Sequence, residues 1–399
     1  MLSGWALIWA YLFIAIAGLS GFAYFAQQFL NSIGAGFTFP PVLLFLISGA
    51  VCWYVACRDI HISSALTLLL EALSISCIVT LAVIVLFKHG FSVDTPQLQL
   101  KGMSLHGLSL AVVISIFSLV GFESATTLGG EAKNPLKNVP KAVIWSLLLT
   151  GAFMVFMSYV EVFATRHSAA SLGSMSIPLS TISDIYKVSW FKAPIALGAM
   201  VSFFSLSLSC LNAGSRIVYR MGRHFVFPAH AGRAHHKHQT PYIAITAFIL
   251  IMFAIPSILQ IWTNPLTTFD DAGTLAAFGF LTAYFLIAIA APMYLKKLGE
   301  LKTRNVVIAV IGFVCLLVPT IGSFYPAPPW PVWTYPYIFV GYMLVGAVWL
   351  YSRSRRRSGL LDEIEADLEA PSVEGDPPSP VVIDLTTPAT PAVDQPAMA

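Results

Sequence analysis

Residues 117–124 read Phe117-Ser118-Leu119-Val120-Gly121-Phe122-Glu123-Ser124, and the chain continues through Gly129-Gly130-Glu131-Ala132-Lys133-Asn134-Pro135 to Asn138-Val139-Pro140. The apolar run that holds the first of these stretches, 108–130, is long enough to cross a bilayer, yet it carries a carboxylate near its middle. Such a group costs about 3 kcal/mol in a lipid-facing helix, so it normally faces a bundle interior or a water-filled cavity. Glycine beside it lets the backbone unwind and turn bare carbonyls toward a ligand. The stretch predicts a spanning helix that is interrupted at a site.

Hydrophobic residues make up 57% of the 399 positions and charged residues 10%. With a mean hydropathy of +0.78, the chain has too little polar surface to cover a soluble globule. It reads as an all-α integral membrane protein with ten spans, at about 4–28, 40–57, 64–87, 108–130, 141–164, 193–221, 241–261, 272–294, 305–325 and 334–352. Backbone groups in lipid must be bonded within their own segment, so the spans should be helices; the alternation of barrel strands is absent. If the chain enters from the cytoplasm, alternate loops on that side hold 17 of the 22 Lys and Arg, which places both termini there and makes 325–333 an outer aromatic loop. A transmembrane domain over 1–354 and a cytoplasmic tail over 355–399 follow. The tail carries nine of the 19 carboxylates with many Pro, Ser and Thr, a composition that predicts a solvated, disordered segment.

Smaller features fit this outline. Cys52, Cys57, Cys77, Cys210 and Cys315 lie in or at the ends of spans and read as packing residues. His230, His235, His236 and His238 crowd a basic loop with no neighbouring Cys or Asp, so a solvated loop is the economical reading over a metal site. Pro140 and Pro241 are expected near the first helical positions of the fifth and seventh spans. Gly34-Ala35-Gly36 runs into Pro40-Pro41 and predicts a loop. The first charged residue is Arg58, and neither the basic region nor the cleavage site of a secretory signal is evident ahead of it.

Gly121-Phe122-Glu123-Ser124, Gly130-Glu131-Ala132-Lys133-Asn134-Pro135 and Asn138-Val139-Pro140-Lys141-Ala142 together resemble the sixth helix and following loop of the amino acid-polyamine-organocation permease superfamily. Asn212-Ala213-Gly214-Ser215-Arg216-Ile217-Val218-Tyr219-Arg220-Met221-Gly222-Arg223, with the His-rich stretch ending at Thr240-Pro241, resembles that superfamily's eighth helix and the loop into the ninth. The two matches occur in the right order, and the resemblance covers roughly 3–352. It implies a transporter built on a five-helix inverted repeat, normally twelve helices, with the site shared between broken helices one and six. The first span would then stand at the third position. The superfamily's first two helices, and half of its site, would lie outside the sequence given. The resemblance also implies an amino acid or polyamine substrate, a lipid bilayer as the surroundings, a plasma or inner membrane location, no enzymatic activity and no resident cofactor, with a proton or sodium as the coupling ion. Nucleic acid is not an expected partner, and the oligomeric state is left open. A non-transporting scaffold that needs a partner chain for the missing helices is the alternative.

The expected substrate-binding residues are Phe117, Ser118, Leu119, Val120, Gly121, Phe122 and Glu123. Carbonyls at the end of a half-helix carry negative partial charge and suit an ammonium group. Glu123 could accept a hydrogen bond from substrate, take part in proton coupling, or lock the half-helices together. Phe117 and Phe122 could line the pocket or simply pack. Glu71 lies within the third span; some proton-coupled relatives carry a lysine near the matching position, so cation coupling and a buried polar lock both stay open. Ser202, Ser205, Ser207 and Ser209 are candidate coordinating hydroxyls on the sixth span, with Ser205 and Ser209 foremost, although serine also favours helix contacts in membranes because it is small. Glu131, Lys133, Lys137 and 216–223 read as gate and orientation charges.

Overall fold

The computed structural model describes residues 1–58, 60–88, 93–99, 108, 115, 118–129, 132–166, 168, 172–175, 177–235, 238, 240–325 and 329–356. Among these, nine helices are long and apolar enough to cross a membrane. They are α1 (Leu2–Ser32), α2 (Pro41–Arg58), α3 (Ile60–Lys88), α4 (Pro135–Thr165), α5 (Lys192–Arg223), α6 (Tyr242–Leu259), α7 (Pro265–Lys297), α8 (Thr303–Gly322) and α9 (Tyr335–Arg356). Each covers one of the expected spans. In the remaining expected span, 108–130, residues 109–114, 116, Phe117 and 130 lie outside the described residues, as do Glu131 and the tail from 357 onward.

Helix starts differ from expectation in an instructive way. α4 begins at Pro135, not near Pro140, and Asn134 precedes it in the left-handed region at φ 49°. Pro135 thus takes the place where a missing N–H costs nothing, and Pro140 sits inside the helix. Pro241 falls one position before α6, where Thr240 donates its hydroxyl to the carbonyl of Cys57 at 2.9 Å and ties the end of α2 to the start of α6. Residues 34–40 form the loop expected after α1.

The main core is built on α1, which packs antiparallel to α5 and also against α2, α6 and α7. Tyr11, Ile16, Leu19, Phe45, Leu211 and Phe280 are among its fully buried side chains. Small residues make this packing possible. A Cβ on Gly18 would sit 2.3 Å from the Ser207 hydroxyl, and one on Gly279 would sit 2.6 Å from the carbonyl of Ala6. Helices in lipid gain stability from this kind of close approach, because the hydrophobic effect does not distinguish a lipid tail from a leucine. A second cluster joins α3, α4, the short helix Pro178–Ile185 and the start of α5 around Leu81, Val85, Val160 and Ile182. Long runs of α8 and α9, including Val310, Val314 and Val348, are exposed in the isolated chain and suit contact with lipid tails.

Candidate functional site

The described end of the interrupted span is not an α-helix. Residues 119–121 form a turn, Gly121 adopts φ 97°, and a 3-10 helix runs over Phe122–Leu128. A side chain at that φ would be strained, so glycine is what the turn requires. One turn of 3-10 geometry then presents Glu123 back toward the turn. Its carboxylate is 7% exposed and accepts from three groups: the Tyr11 hydroxyl at 2.9 Å, the Tyr284 hydroxyl at 2.5 Å and the Gly121 N–H at 3.1 Å. The donors come from α1, α7 and the turn itself, so one side chain fastens the interrupted segment to two helices of the main core. Charge-assisted bonds of this kind are the stronger class of hydrogen bond.

The Phe122 ring lies 5.5 Å from that of Tyr284, and Tyr11 meets Phe280 edge-on at 5.5 Å. Val120 packs against the main core, Leu119 is half-buried and Ser118 is exposed. Of the seven expected binding residues, six are therefore described, from Ser118 to Glu123. The geometry gathers Gly121, Phe122 and Glu123 around the two tyrosines.

Tyr11 and Tyr284 were not singled out from the sequence. Their signal was present: a tyrosine in the body of an apolar span, away from the membrane interfaces that favour it, carries a hydroxyl that must find an acceptor. Glu123 is that acceptor for both.

Glu71 occupies a separate place. It is half-buried on α3 and accepts from the Ser202 hydroxyl, at 3.0 Å to one oxygen and 3.2 Å to the other. Ser205, 2% exposed, donates at 3.4 Å to the carbonyl of Thr67, one turn along α3. Ser207 faces α1 instead and donates to the carbonyl of Ala15 at 3.3 Å, and Ser209 is exposed. The serine group thus divides. Ser202 and Ser205 belong with α3, whereas Ser207 is a packing residue against Gly18. Lys133 and Lys137 are exposed near the start of α4, and His235 stacks on His238 with ring centres 5.1 Å apart. A cleft of about 470 Å³ lined by Tyr24, Gln27, Gln28, Thr38 and Pro265 holds none of the expected site residues.

A fold carried by apolar helices and a glycine turn that folds a carboxylate back onto two tyrosines can be compared with known proteins. The family model described as amino acid permease matches residues 1–348. The chain belongs to the amino acid permease family. Among curated relatives of this family member, the Branched-chain amino acid permease BcaP of Bacillus subtilis (strain 168) is 24% identical over 381 residues, covering 90% of this chain and 76% of the relative. The protein of the same name from Lactococcus lactis subsp. cremoris is 24% identical over 302 residues, covering 70% of this chain and 63% of the relative. Cationic amino acid transporter 4 of Mus musculus is 27% identical over 231 residues, covering 57% of this chain and 34% of that transporter. These relatives are transporters by name, and the membrane-length helices of this chain match that class.

Proposed function

We propose that this chain works in secondary-active transport of amino acids across the plasma or inner membrane, with the turn at 118–123 contributing to the substrate site and both termini in the cytoplasm. The supporting observation is the Glu123 clasp. The turn at the φ-positive Gly121, with Glu123 bonded to two neighbouring helices, is in this reading the clasped arrangement of an element that transport would release. Alternating access by rocking of helix groups around a fixed site needs such an element.

Because three donors already occupy Glu123, it is poorly placed to meet a cationic side chain while clasped. Phe122, Tyr284 and Val120 offer mostly apolar surface. This favours neutral, apolar amino acids over cationic ones or polyamines, in line with the name of the Bacillus relative. Substrate ammonium would meet carbonyls of the turn. Coupling is assigned to Glu71, whose half-buried carboxylate is held by hydroxyls of one helix only, with a proton as the coupling ion.

The test is exchange in vesicles reconstituted with the full chain. Vesicles preloaded with leucine should take up labelled leucine, and those preloaded with lysine should take up labelled lysine far more slowly. A pH gradient should then drive leucine above equilibrium. No exchange with any amino acid would support the non-transporting scaffold instead, and purely downhill flux would point to a channel.

A further inference from the structure

The cleft beside the C-terminal end of α1 takes no part in the Glu123 or Glu71 sites. Its volume of about 470 Å³ falls within the range of small-ligand sites. Ala23, Tyr24, Gln27 and Gln28 of α1 form one wall, residues 38–41 with Leu44 of α2 form the second, and Pro265 at the start of α7 forms the third. The second wall is pinned by Gln27. Its Nε2 donates to the Phe37 carbonyl at 3.2 Å and to Asn31 Oδ1 at 3.1 Å, and its Oε1 accepts from the Phe39 N–H at 3.1 Å. That amide is therefore committed to the loop. Among the described residues, none bonds the Tyr24 hydroxyl, the Gln28 amide or the Thr38 hydroxyl, so three polar groups are left to water or an occupant.

None of the described lining residues is charged. A zwitterionic amino acid would find no counter-charge there for either of its ends. The ester region of a phospholipid fits better, because ester carbonyls accept hydrogen bonds without donating any and acyl chains follow apolar walls. Depth agrees with this. A helix of 31 residues is about 46 Å long and overhangs a hydrocarbon core of about 30 Å by about 8 Å at each end. Tyr24 lies about 12 Å before the last residue of α1, so it falls inside the hydrocarbon edge, and Gln28 falls at that edge. The rim also continues into surface suited to lipid. Val42, Leu43, Leu46 and Ile47 of α2 are exposed where Leu44 is buried, and Trp262, just ahead of Pro265, is 74% exposed, a placing that suits an interfacial aromatic.

We propose that this cleft binds one phospholipid, with an acyl chain laid between α1, α2 and Pro265 and its ester carbonyls bonded by Tyr24 and Gln28. The topology proposed above makes it a lipid of the outer leaflet. The binding itself does not depend on transport.

The full chain is reconstituted into phosphatidylcholine vesicles that carry a tracer phosphatidylcholine with a diazirine high in one acyl chain, and the attachment sites after illumination are mapped by peptide mass spectrometry. Adducts should concentrate on 23–28 and 38–44, above the yield on the lipid-facing Val310 and Val314 of α8. Tyr24→Phe and Gln28→Leu should each lower the cleft yield about fivefold, the scale of one hydrogen bond. Thr38→Trp, which puts a large ring into the cleft from an exposed loop position, should abolish it. The yield on α8 should stay the same in every variant, which also reports that each variant is inserted.

A cleft yield no higher than that on α8 would mean ordinary surrounding lipid and would overturn the site. A yield that all three variants leave unchanged would overturn it as well. Saturating leucine that suppresses the cleft adduct and spares α8 would make an amino acid the occupant and overturn the lipid assignment. A free fatty acid with the same diazirine that labels the cleft as strongly as the phospholipid would overturn the ester contacts.

Discussion

Two carboxylates in apolar surroundings, Glu123 and Glu71, are held in different ways. Glu123 is 7% exposed and bonded to α1, α7 and the backbone of its own turn. Glu71 is half-buried and its hydroxyl partners, Ser202 and Ser205, lie on one helix, α5. The contrast lies in how many elements must move to release each group. Freeing Glu123 would separate three parts of the molecule at once, which is what the proposed fastening role requires. Freeing Glu71 needs only serine rotations on one helix, so its charge can change without separating several elements of the bundle. Residue type and depth in the membrane do not by themselves distinguish these roles; the partners do.

The largest effect should come from breaking the fastening. Glu123→Gln places an amide where three donors converge, so at least one hydrogen bond must be lost or reversed. Removing a charged hydrogen-bond partner of this kind costs about 2 kcal/mol per bond, which predicts a fall in leucine exchange of about thirtyfold. Tyr11→Phe and Tyr284→Phe each delete one donor and leave the ring packing of Phe280 and Phe122 intact. Each should lower exchange by about tenfold, and a double-mutant cycle with Glu123→Gln should show that the losses are not additive. Additive losses would mean that the tyrosines act independently of the carboxylate, and the clasp would no longer separate Glu123 from Glu71.

The spans were legible in the sequence because lipid demands long apolar helices, and nine of the expected positions are occupied by such helices among the described residues. The turn was legible as well, because Gly121 beside Glu123 is a combination that a continuous helix would not use. Tyr11 and Tyr284 were not, since they lie 112 and 161 positions from Glu123 and periodicity carries no information about such pairings. The division among the serines was hidden for a related reason: hydroxyls on neighbouring turns of one helix face different partners, and those partners belong to α1 and α3. The start of α4 was misplaced by five residues because Pro135 and Pro140 each fit a helix N-terminus, and only the left-handed Asn134 before Pro135 separates them.

A smaller effect should follow at the second carboxylate. Ser202→Ala removes the hydroxyl that bridges both oxygens of Glu71 and leaves a half-buried group that water can reach. A net loss of about 1 kcal/mol for a hydrogen bond of this type predicts a shift of about fivefold in the proton concentration that half-drives leucine uptake. Exchange at equal pH should stay unchanged. If exchange fell together with the driven uptake, Glu71 would belong to the same cooperative element as Glu123, and the contrast between them would collapse.

Asp184 provides the lower reference, as a carboxylate outside the spanning helices. It pairs with Lys192 at 2.6 Å and accepts from the Ser189 hydroxyl at 2.8 Å, with its side chain 47% exposed. The Lys192 ammonium holds its carboxyl below the usual aspartate range, against a smaller opposing effect of burial. A lowered folded-state pKa means that the stabilisation is present above the ordinary aspartate range and is lost as pH falls through the lowered value. Water and salt screen such a pair, so Asp184→Asn should change the unfolding temperature at neutral pH by less than about 2 °C, and the difference from the unaltered chain should vanish in acid. Leucine exchange should be unaffected. A large loss of exchange in Asp184→Asn would place the segment between α4 and α5 inside the transport cycle. The ranking of carboxylates by the number of elements they join would then fail, because Asp184 joins only the short helix and the start of α5.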